Sequence, residues 1–294
     1  MKRKLEISEL IFKVISYTLL TAFALACLYP FLFAVSSSIS GRHEVEYSQI
    51  VLLPKNIQFD AFLMMFNDNV FWNSYTNTLF LTFYGTIFSV ITSLLGAYAL
   101  SKKRLLFRKG FNFFLVFTMW FSAGLVPQYL NYLATKRVFN GVGIMDDKWL
   151  VVIAMGMAAM NIILLRNSFE GVPSEIEEAA IIDGATEMQV LWRVYVPMSK
   201  SIIATVSLFF AISRWNGYFW ARQMISNINE QPLQVFIRRK LEEYTNPELV
   251  WSESYASDSA IYALVVCSIV PILIIYPFIQ KYFAKGVNVG GVKE

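Results

Sequence analysis

Long uncharged runs of apolar residues recur along this chain, separated by shorter polar segments. The six runs cover residues 14–36, 75–100, 111–133, 149–165, 201–221 and 259–280. Arg214 is the only charged residue inside them. A helix needs about 20 residues to cross a hydrocarbon layer about 30 Å thick, so each run predicts one transmembrane helix. The pattern therefore predicts an all-α polytopic membrane protein with six transmembrane helices.

Prolines mark expected irregularities in these spans. Pro127 lies inside the third run and predicts a bend there. Pro271 and Pro277 lie inside the sixth run, where neighbouring helices can satisfy the carbonyl groups that proline leaves unpaired. The fifth run is expected to form one helix over 201–221, with a cluster of aromatic residues in its outer half.

Composition supports the membrane class and excludes several others. Of the 294 residues, 56% are hydrophobic and 16% are charged, whereas a soluble domain averages about 45–50% apolar and about 25% charged. A soluble enzyme and a disordered chain are therefore both excluded. One histidine, His43, and two cysteines in apolar runs, Cys27 and Cys267, are too few for a zinc site or a disulfide framework. The net charge of +4 is too mild for a nucleic-acid reader.

The distribution of positive charge predicts the orientation in the membrane. Fifteen of the 25 Lys and Arg residues fall on the side that holds both chain ends, and five of these lie in the short loop 102–109. Because loops rich in Lys and Arg remain inside, both termini are expected to be cytoplasmic.

Three parts of the chain follow from this topology. Residues 1–74 are expected to form an N-terminal cytoplasmic segment, the first transmembrane helix and an outer loop. Residues 75–280 form the transmembrane core, including the cytoplasmic loop 166–200, and residues 281–294 form a cytoplasmic tail. The outer connections 37–74 and 222–258 are long enough for small caps on the outer face.

The loop 166–200 is acidic although it lies on the positive side of the membrane. It holds six Asp and Glu residues against three Lys and Arg residues. Ser174, with Glu177 three residues later, predicts a capping box that starts a helix. That helix is expected to end near Gly184, where glycine can adopt a left-handed cap, and a second helix should follow to Pro197. The segment is either a solvated connector or a docking element.

The residues of this loop carry a family resemblance. Glu178-Ala179-Ala180 is followed by three residues, Gly184, nine residues and Val194-Tyr195-Val196-Pro197. This spacing resembles the EAA motif of ABC importer permeases, with valines at 194 and 196 where the motif has isoleucine and leucine. The resemblance covers about 75–294, with a looser likeness in the first helix. It is closest to maltose-permease-like subunits, particularly those that import oligosaccharides or polysaccharide fragments in Gram-positive bacteria.

The resemblance implies a type I ABC importer permease fold and a set of partners. The chain has no GxxxxGK[ST] motif, so ATP and magnesium are expected in a separate ATPase dimer, with no cofactor in this chain. A second permease subunit and an extracellular solute-binding lipoprotein are also implied, with carbohydrate as substrate, membrane lipid as surroundings and no nucleic acid. The tail 286–294 is expected to reach between the ATPase subunits. The residues implied in coupling to the ATPase are Glu175, Glu177, Glu178, Ala179, Ala180, Asp183 and Gly184.

Aromatic and amide side chains suggest a substrate pathway. Aromatic rings stack on sugar faces and Asn bonds hydroxyl groups, although Trp and Tyr also favour membrane interfaces. Arg214 is costly in lipid and should face protein or water, where it is expected to brace a subunit interface or a gate. The candidates are Trp215, Asn216, Tyr218, Phe219, Arg214 and Asn77.

Two other classes are alternatives to an ABC permease. A secondary transporter usually places carboxylates in its spans, whereas these six runs contain none. A polytopic enzyme of carbohydrate metabolism needs acid, base or metal-binding groups near a membrane face. The acidic residues of 166–200 have an order that fits a docking helix better than such a site.

Overall fold

The computed structural model describes residues 7–141, 147–244 and 257–286, and every regular element in these ranges is helical. The α-helices are α1 (Ile7–Ser38), α2 (Arg42–Glu46), α3 (Asp60–Asn67), α4 (Asn69–Ser101), α5 (Arg108–Trp120), α6 (Leu125–Gly141), α7 (Asp147–Ala154), α8 (Ala159–Glu170), α9 (Ser174–Ile182), α10 (Glu187–Val190), α11 (Val196–Met198), α12 (Lys200–Trp215), α13 (Phe219–Met224), α14 (Leu233–Tyr244) and α15 (Ser257–Gly286). A π-helical turn spans Leu191–Tyr195 and a 3-10 turn spans Ile228–Glu230. The all-α prediction is confirmed.

The predicted spans correspond to long helices and to bent helix pairs. By length and composition, α1 and α4 can each cross a membrane alone. Three further candidates are pairs bent at short breaks: α5 with α6 by 115°, α7 with α8 by 54°, and the 187–198 segment with α12 by 89°. Counting each pair as one span gives up to five. The sixth predicted run lies in α15, whose apolar stretch Asp258–Ile274 is shorter.

The chain divides into two compact units. Met1–Phe71 and Ile237–Ile272 form the first, and Trp72–Phe236 and Leu273–Glu294 form the second. In the first unit, the Ser36 hydroxyl donates a 2.7 Å hydrogen bond to the carbonyl oxygen of Leu52. That bond holds the connection after α1 against the end of the helix, in the region where an outer cap is expected.

The break in the third span lies before the proline that was expected to cause it. Residues 121–124 separate α5 from α6, and Gly124 has a φ of 86°. Pro127 sits in the first turn of α6, where a missing N–H costs no helical hydrogen bond. The predicted bend in the third span is confirmed, but it lies at residues 121–124 rather than at Pro127: the left-handed Gly124 turns the chain, and Pro127 fits into the first turn of the next helix.

The fifth span is also shorter than expected. The helix α12 ends at Trp215 rather than continuing to 221, and α13 begins at Phe219. The Asn216 side-chain amide donates a 3.0 Å hydrogen bond to the carbonyl oxygen of Ile212. The Gly217 N–H bonds the carbonyl of Arg214, only three residues back. These two contacts satisfy the last carbonyls and end the helix.

A glycine sits at the break in the fourth span. Gly156 lies between α7 and α8, and a Cβ there would approach Cε1 of Phe88 to 2.5 Å and the carbonyl oxygen of Ile153 to 2.8 Å. The Gly156 carbonyl accepts a 3.4 Å hydrogen bond from Thr92 on α4. The unwound segment is therefore packed directly against α4, at a separation that only glycine permits.

We expect Gly156→Ala to destabilise the protein by about 1–3 kcal/mol, the usual cost of overpacking. The matched control is Gly110→Ala in α5, where a Cβ meets no heavy atom within 4 Å. That control should be neutral or stabilising by about 0.5–1 kcal/mol, because alanine favours helices. Thermal unfolding of the purified protein in detergent measures both variants. Equal midpoints for the two would contradict the close packing at Gly156.

Candidate functional site

The acidic loop 166–200 folds as two helical segments joined by a glycine turn. The helix α9 ends at Ile182, and Gly184 has a φ of 81°. The Gly184 N–H bonds the carbonyl of Ile181 and the Ala185 N–H bonds the carbonyl of Ala180, both at 3.0 Å. This pair of bonds is a Schellman motif, which places a left-handed residue just after the helix. The predicted glycine cap is confirmed.

The predicted capping box lies elsewhere. The N-cap of α9 is Pro173, and Ser174 is the first residue of the helix. No side chain caps this helix start. The box occurs at the start of α10, where the Thr186 N–H donates to Gln189 Oε1 at 2.8 Å and the Gln189 N–H donates to Thr186 Oγ1 at 3.4 Å. The prediction of a Ser174–Glu177 box is wrong because the Glu177 carboxylate is engaged by other side chains.

The second segment does not end at Pro197 as expected. A π turn over Leu191–Tyr195 follows α10, and Pro197 lies within α11. Proline lacks the N–H that an α-helix would pair with the carbonyl of Arg193, so the preceding turn widens. The segment then joins α12 through Ser199.

One face of α9 is open to solvent and carries both acidic and apolar groups. The side chain of Ile182 is 85% exposed. Of the described residues, none forms an ion pair with the carboxylates of Glu175, Glu178 or Asp183, which are also exposed. Ala179 is exposed beside them. Ile182 is about twice as exposed as Ile176 (41%) and Ile181 (42%) on the same helix. We call Glu175, Glu178, Ala179, Ile182 and Asp183 the outer face of α9.

The sequence analysis missed Ile182. A usable signal was its spacing, because positions 175, 178, 179 and 182 lie three or four residues apart and share one side of a helix. Ala180 was grouped with this face but is partly buried against the internal apolar cluster that includes Leu165 and Tyr195. Its small side chain therefore serves packing within this chain.

Glu177 points inward, away from the outer face. Its Oε1 lies 2.7 Å from the ammonium of Lys102, and its Oε2 accepts a 2.5 Å hydrogen bond from the Tyr195 hydroxyl. Burial raises the pKa of this carboxyl, but the contacts with Lys102 and Tyr195 outweigh burial and hold the pKa below its usual value. The expectation that Glu177 pairs with a partner protein is replaced by a pairing within the chain.

A cleft of about 650 Å³ lies between the basic loop and α9. Its walls include Lys103, Arg104, Arg108, Ser174 and Glu178. A smaller cleft of about 360 Å³ lies beside the glycine turn and is lined by Ala180, Asp183 and Arg193, among others. The helix α9 thus stands between two indentations of the protein surface.

Arg214 is fully engaged inside the second unit. It is 5% exposed, and its guanidinium donates hydrogen bonds to the carbonyl oxygens of Val151 (3.0 Å) and Val152 (2.9 Å) and to the Ser89 hydroxyl (2.9 Å). Val152 lies in the last turn of α7, where carbonyl groups lose their helical partners. Arg214 therefore braces the break between α7 and α8, and its donors are directed at this chain rather than at a substrate.

Two other predicted pathway residues are buried within the second unit. Asn77 is 8% exposed, and its amide donates a 2.8 Å hydrogen bond to the carbonyl oxygen of Asn229. Trp215 is 6% exposed and packs edge-on against the ring of Tyr75, with the centroids 6.1 Å apart. Both residues fasten helices within the second unit.

The remaining candidates surround the break between α12 and α13. Asn216 and Phe219 are exposed, and the Tyr218 hydroxyl accepts a 2.6 Å hydrogen bond from Arg222. Irregular backbone at membrane depth is tolerated where it lines a cavity or is buried in protein. Asn216 and Phe219 therefore present exposed polar and aromatic surface at this helix break, while Tyr218 is only partly exposed.

The described residues contain no group of three or more His, Cys, Asp and Glu side chains placed to hold a metal ion. The predicted tail lies outside the described residues from position 287 onward.

Comparison with known proteins gives matches over nearly the whole chain. The sequence matches the family described as binding-protein-dependent transport system inner membrane component over residues 6–289. The polygalacturonan/rhamnogalacturonan transport system permease protein YtcP of Bacillus subtilis (strain 168) is 34% identical over 288 residues, covering 96% of this chain and 98% of the relative. The maltodextrin transport system permease protein MdxG of the same organism is 26% identical over 289 residues, covering 96% of each chain.

Two solved structures share the fold. One is a crystal structure of a bacterial ABC transporter involved in the import of the acidic polysaccharide alginate. Its matching chain is 40% identical, with a TM-score of 0.86 and coverage of 96% of this chain and 100% of that one. The second is a bacterial alginate ABC transporter in complex with an alginate pentasaccharide-bound periplasmic protein. At 14% identity, a TM-score of 0.66 and coverage of 92% and 93%, it shows a common fold alone.

Proposed function

Because the chain belongs to the family of binding-protein-dependent transport system inner membrane components, we propose that it is a permease subunit that moves an oligosaccharide into the cytoplasm. The observation that carries this proposal is the whole-chain likeness to the alginate importer chain, at 40% identity and a TM-score of 0.86. The 34% identity with a polygalacturonan/rhamnogalacturonan permease protein supports the same substrate class. The substrate is accordingly a fragment of a polysaccharide.

Coupling to ATP hydrolysis is assigned to the outer face of α9. The exposed Ile182 and Ala179 provide an apolar contact that a groove on an ATPase can cover. The neighbouring carboxylate of Glu178 has no ion pair among the described residues, so it is available to a basic side chain of the ATPase. ATP and magnesium bind in that separate subunit, because this chain lacks a phosphate-binding loop.

The transporter also requires components outside this chain. A second permease subunit completes the translocation pathway, and an extracellular solute-binding protein delivers the sugar. Asn216, Tyr218 and Phe219 contribute the sugar-facing surface on this side, at the break between α12 and α13. Both termini lie in the cytoplasm, on the same side as the basic loop 102–109.

We expect Ile182→Ser to uncouple hydrolysis from substrate while leaving the fold intact. The side chain is 85% exposed, so its removal costs little internal packing. Burying an isoleucine at an interface contributes about 1.5–3 kcal/mol, so ATPase activity stimulated by the loaded binding protein should fall about tenfold or more. The measurement is ATP hydrolysis and labelled oligosaccharide uptake by the complex in proteoliposomes.

The matched control is Ile228→Ser, at an isoleucine that is 51% exposed in the 3-10 turn. It should leave hydrolysis and uptake unchanged. Normal stimulated hydrolysis and uptake in Ile182→Ser would refute the coupling role of α9. Offering fragments of polygalacturonan, alginate and maltodextrin in the same assay tests the substrate class, and uptake of none of them would contradict the oligosaccharide proposal.

A further inference from the structure

The basic loop between α4 and α5 contacts the acidic loop 166–200 at several points. Lys102 pairs with Glu177 on α9, and Arg104 pairs with Glu187 at the start of α10. Arg108, the first residue of α5, pairs with Glu170 at the end of α8. The sequence analysis used this loop only as an orientation signal, whereas in the fold it is the internal partner of the acidic loop.

We propose that the contact between Lys102 and Glu177 transmits movement of α9 to the cytoplasmic end of α4. This proposal rests on the proposed function. Both are positioning residues, because they act through α9 rather than by touching substrate or nucleotide. We call Lys102, Glu177, Tyr98 and Tyr195 the lysine joint.

The lysine joint is compact and largely shielded from water, although Lys102, Glu177 and Tyr195 also line the cleft of about 650 Å³. Lys102 is 8% exposed, and its ammonium lies 2.7 Å from Glu177 Oε1. The same nitrogen lies 4.1 Å from the ring centroid of Tyr98 and 4.0 Å from that of Tyr195. Cations within about 6 Å of an aromatic centroid are attracted to the ring. The ammonium is therefore contacted on three sides, by Glu177, Tyr98 and Tyr195. Its contact with Glu177 is a close ion pair without hydrogen-bond geometry.

The two tyrosines extend the joint to both helical segments of the acidic loop. The Tyr195 hydroxyl donates to Glu177 Oε2 at 2.5 Å, and the Tyr98 hydroxyl donates to Glu187 Oε2 at 2.7 Å. Burial and the nearby Glu177 raise the pKa of Tyr195, so its hydroxyl remains a donor at neutral pH. The end of α4 is thus bound to α9, to the π turn and to α10 through one connected set of side chains.

Burial distinguishes the lysine joint from the other ion pairs. The side chains of Lys102 and Glu177 are 10% and 17% exposed, whereas those of Arg104 and Glu187 are 58% and 54% exposed. Exposed pairs contribute about 0–1 kcal/mol and tolerate movement. Removing one partner of a buried pair leaves an uncompensated charge and is strongly destabilising. The Lys102–Glu177 contact is therefore harder to separate than the Arg104–Glu187 contact.

The helix α9 depends on this link because its own packing is weak. None of its residues is fully buried, and its outer face is left for a partner. A helix of nine residues is too short to be stable alone, so it relies on contacts with the rest of the chain. A push on the outer face is transmitted inward only if the inner side is fastened, and Glu177 supplies that fastening to α4.

The first test measures the joint directly in the purified permease by hydrogen–deuterium exchange. In Glu177→Gln and Lys102→Met, the backbone amides of α9 should lose protection by about tenfold or more, since one buried pair is broken. The matched control is Lys103→Met, an exposed lysine on the same loop, which should leave α9 unchanged. Unaltered α9 protection in both joint variants would overturn the proposal, whatever the complex transports.

The second test separates transmission from folding in the assembled complex. The double variant Lys102→Met/Glu177→Leu replaces the pair by apolar groups, which often restores stability. The thermal unfolding midpoint of the double variant should then approach that of wild type, while the amount of sugar moved per ATP hydrolysed stays about tenfold below wild type. The single variant Lys102→Arg keeps the positive charge, so its ratio of sugar moved to ATP hydrolysed should lie between those of the double variant and wild type. Full recovery of the ratio in the apolar pair would overturn the joint, whereas a wild-type complex that moves no sugar would instead contradict the proposed function.

Discussion

Replacing Gly184 with valine is expected to lower stimulated ATP hydrolysis and sugar uptake by about 5–30-fold. The residue has a φ of 81°, and a Cβ there would meet no heavy atom within 4 Å. The cost is therefore backbone strain alone, about 1–2 kcal/mol for an ordinary residue and more for a β-branched one, which corresponds to that change in population. The Schellman motif would relax and rotate the outer face of α9 away from its docking position. Hydrolysis and uptake by the reconstituted complex measure the effect.

The control for this prediction is Gly184→Asn. Asparagine visits the left-handed region far more readily than valine, so it should retain most of the activity at the same position. Because the site is sterically open, a larger side chain as such is not the cause. Equal activity for the valine and asparagine variants would show that the left-handed turn is not required for coupling.

Replacing Arg214 with methionine is expected to prevent accumulation of folded protein. Three hydrogen bonds to Val151, Val152 and Ser89 would be lost within the second unit. Bonds to a charged donor contribute about 1.5–3 kcal/mol each, and water cannot replace them inside the membrane. Arg214→Lys should restore little of the folded protein, since one ammonium cannot reproduce the fork of guanidinium donors. Fluorescence-detected size exclusion and thermal unfolding measure the folded fraction.

Arg222→Met is the matched control for Arg214→Met. Arg222 is exposed in α13 and bonds the Tyr218 hydroxyl, so its loss should change the unfolding midpoint little. A well-folded Arg214→Met protein that has lost only sugar uptake would reject the bracing role and return Arg214 to the substrate pathway. Folded protein with normal uptake would reject both assignments.

Features that depend on short-range chemistry could be predicted from the sequence. Lipid tolerates almost no unpaired charge, so the spans are visible as uncharged runs, with Arg214 as the exception. Gly184 was predictable because a left-handed cap favours one residue type at one position. The order of residues around Glu178 was sufficient to indicate the permease family, since its spacing over about twenty positions is specific.

Features that depend on packing were predicted wrongly or incompletely. Pro127 suggested a bend, but Gly124 makes the turn, because a proline in a first helical turn is not strained. The fifth span was expected to reach 221, but Asn216 and Gly217 close it early through contacts that apolar content does not reveal. Ser174 and Glu177 matched a capping box by spacing, yet Lys102 competes for the Glu177 carboxylate.

The sequence by itself determined the class of this protein: an all-α membrane permease of the type I ABC importer fold. The helical membrane class follows from the apolar runs, and the fold type follows from the family resemblance carried by the motif around Glu178. Only the tertiary structure decided which way adjacent side chains face. Glu177 and Glu178 are neighbours in the chain, but successive residues on a helix point about 100° apart. Lys102, 75 positions away, therefore selects Glu177 for the interior and leaves Glu178 exposed.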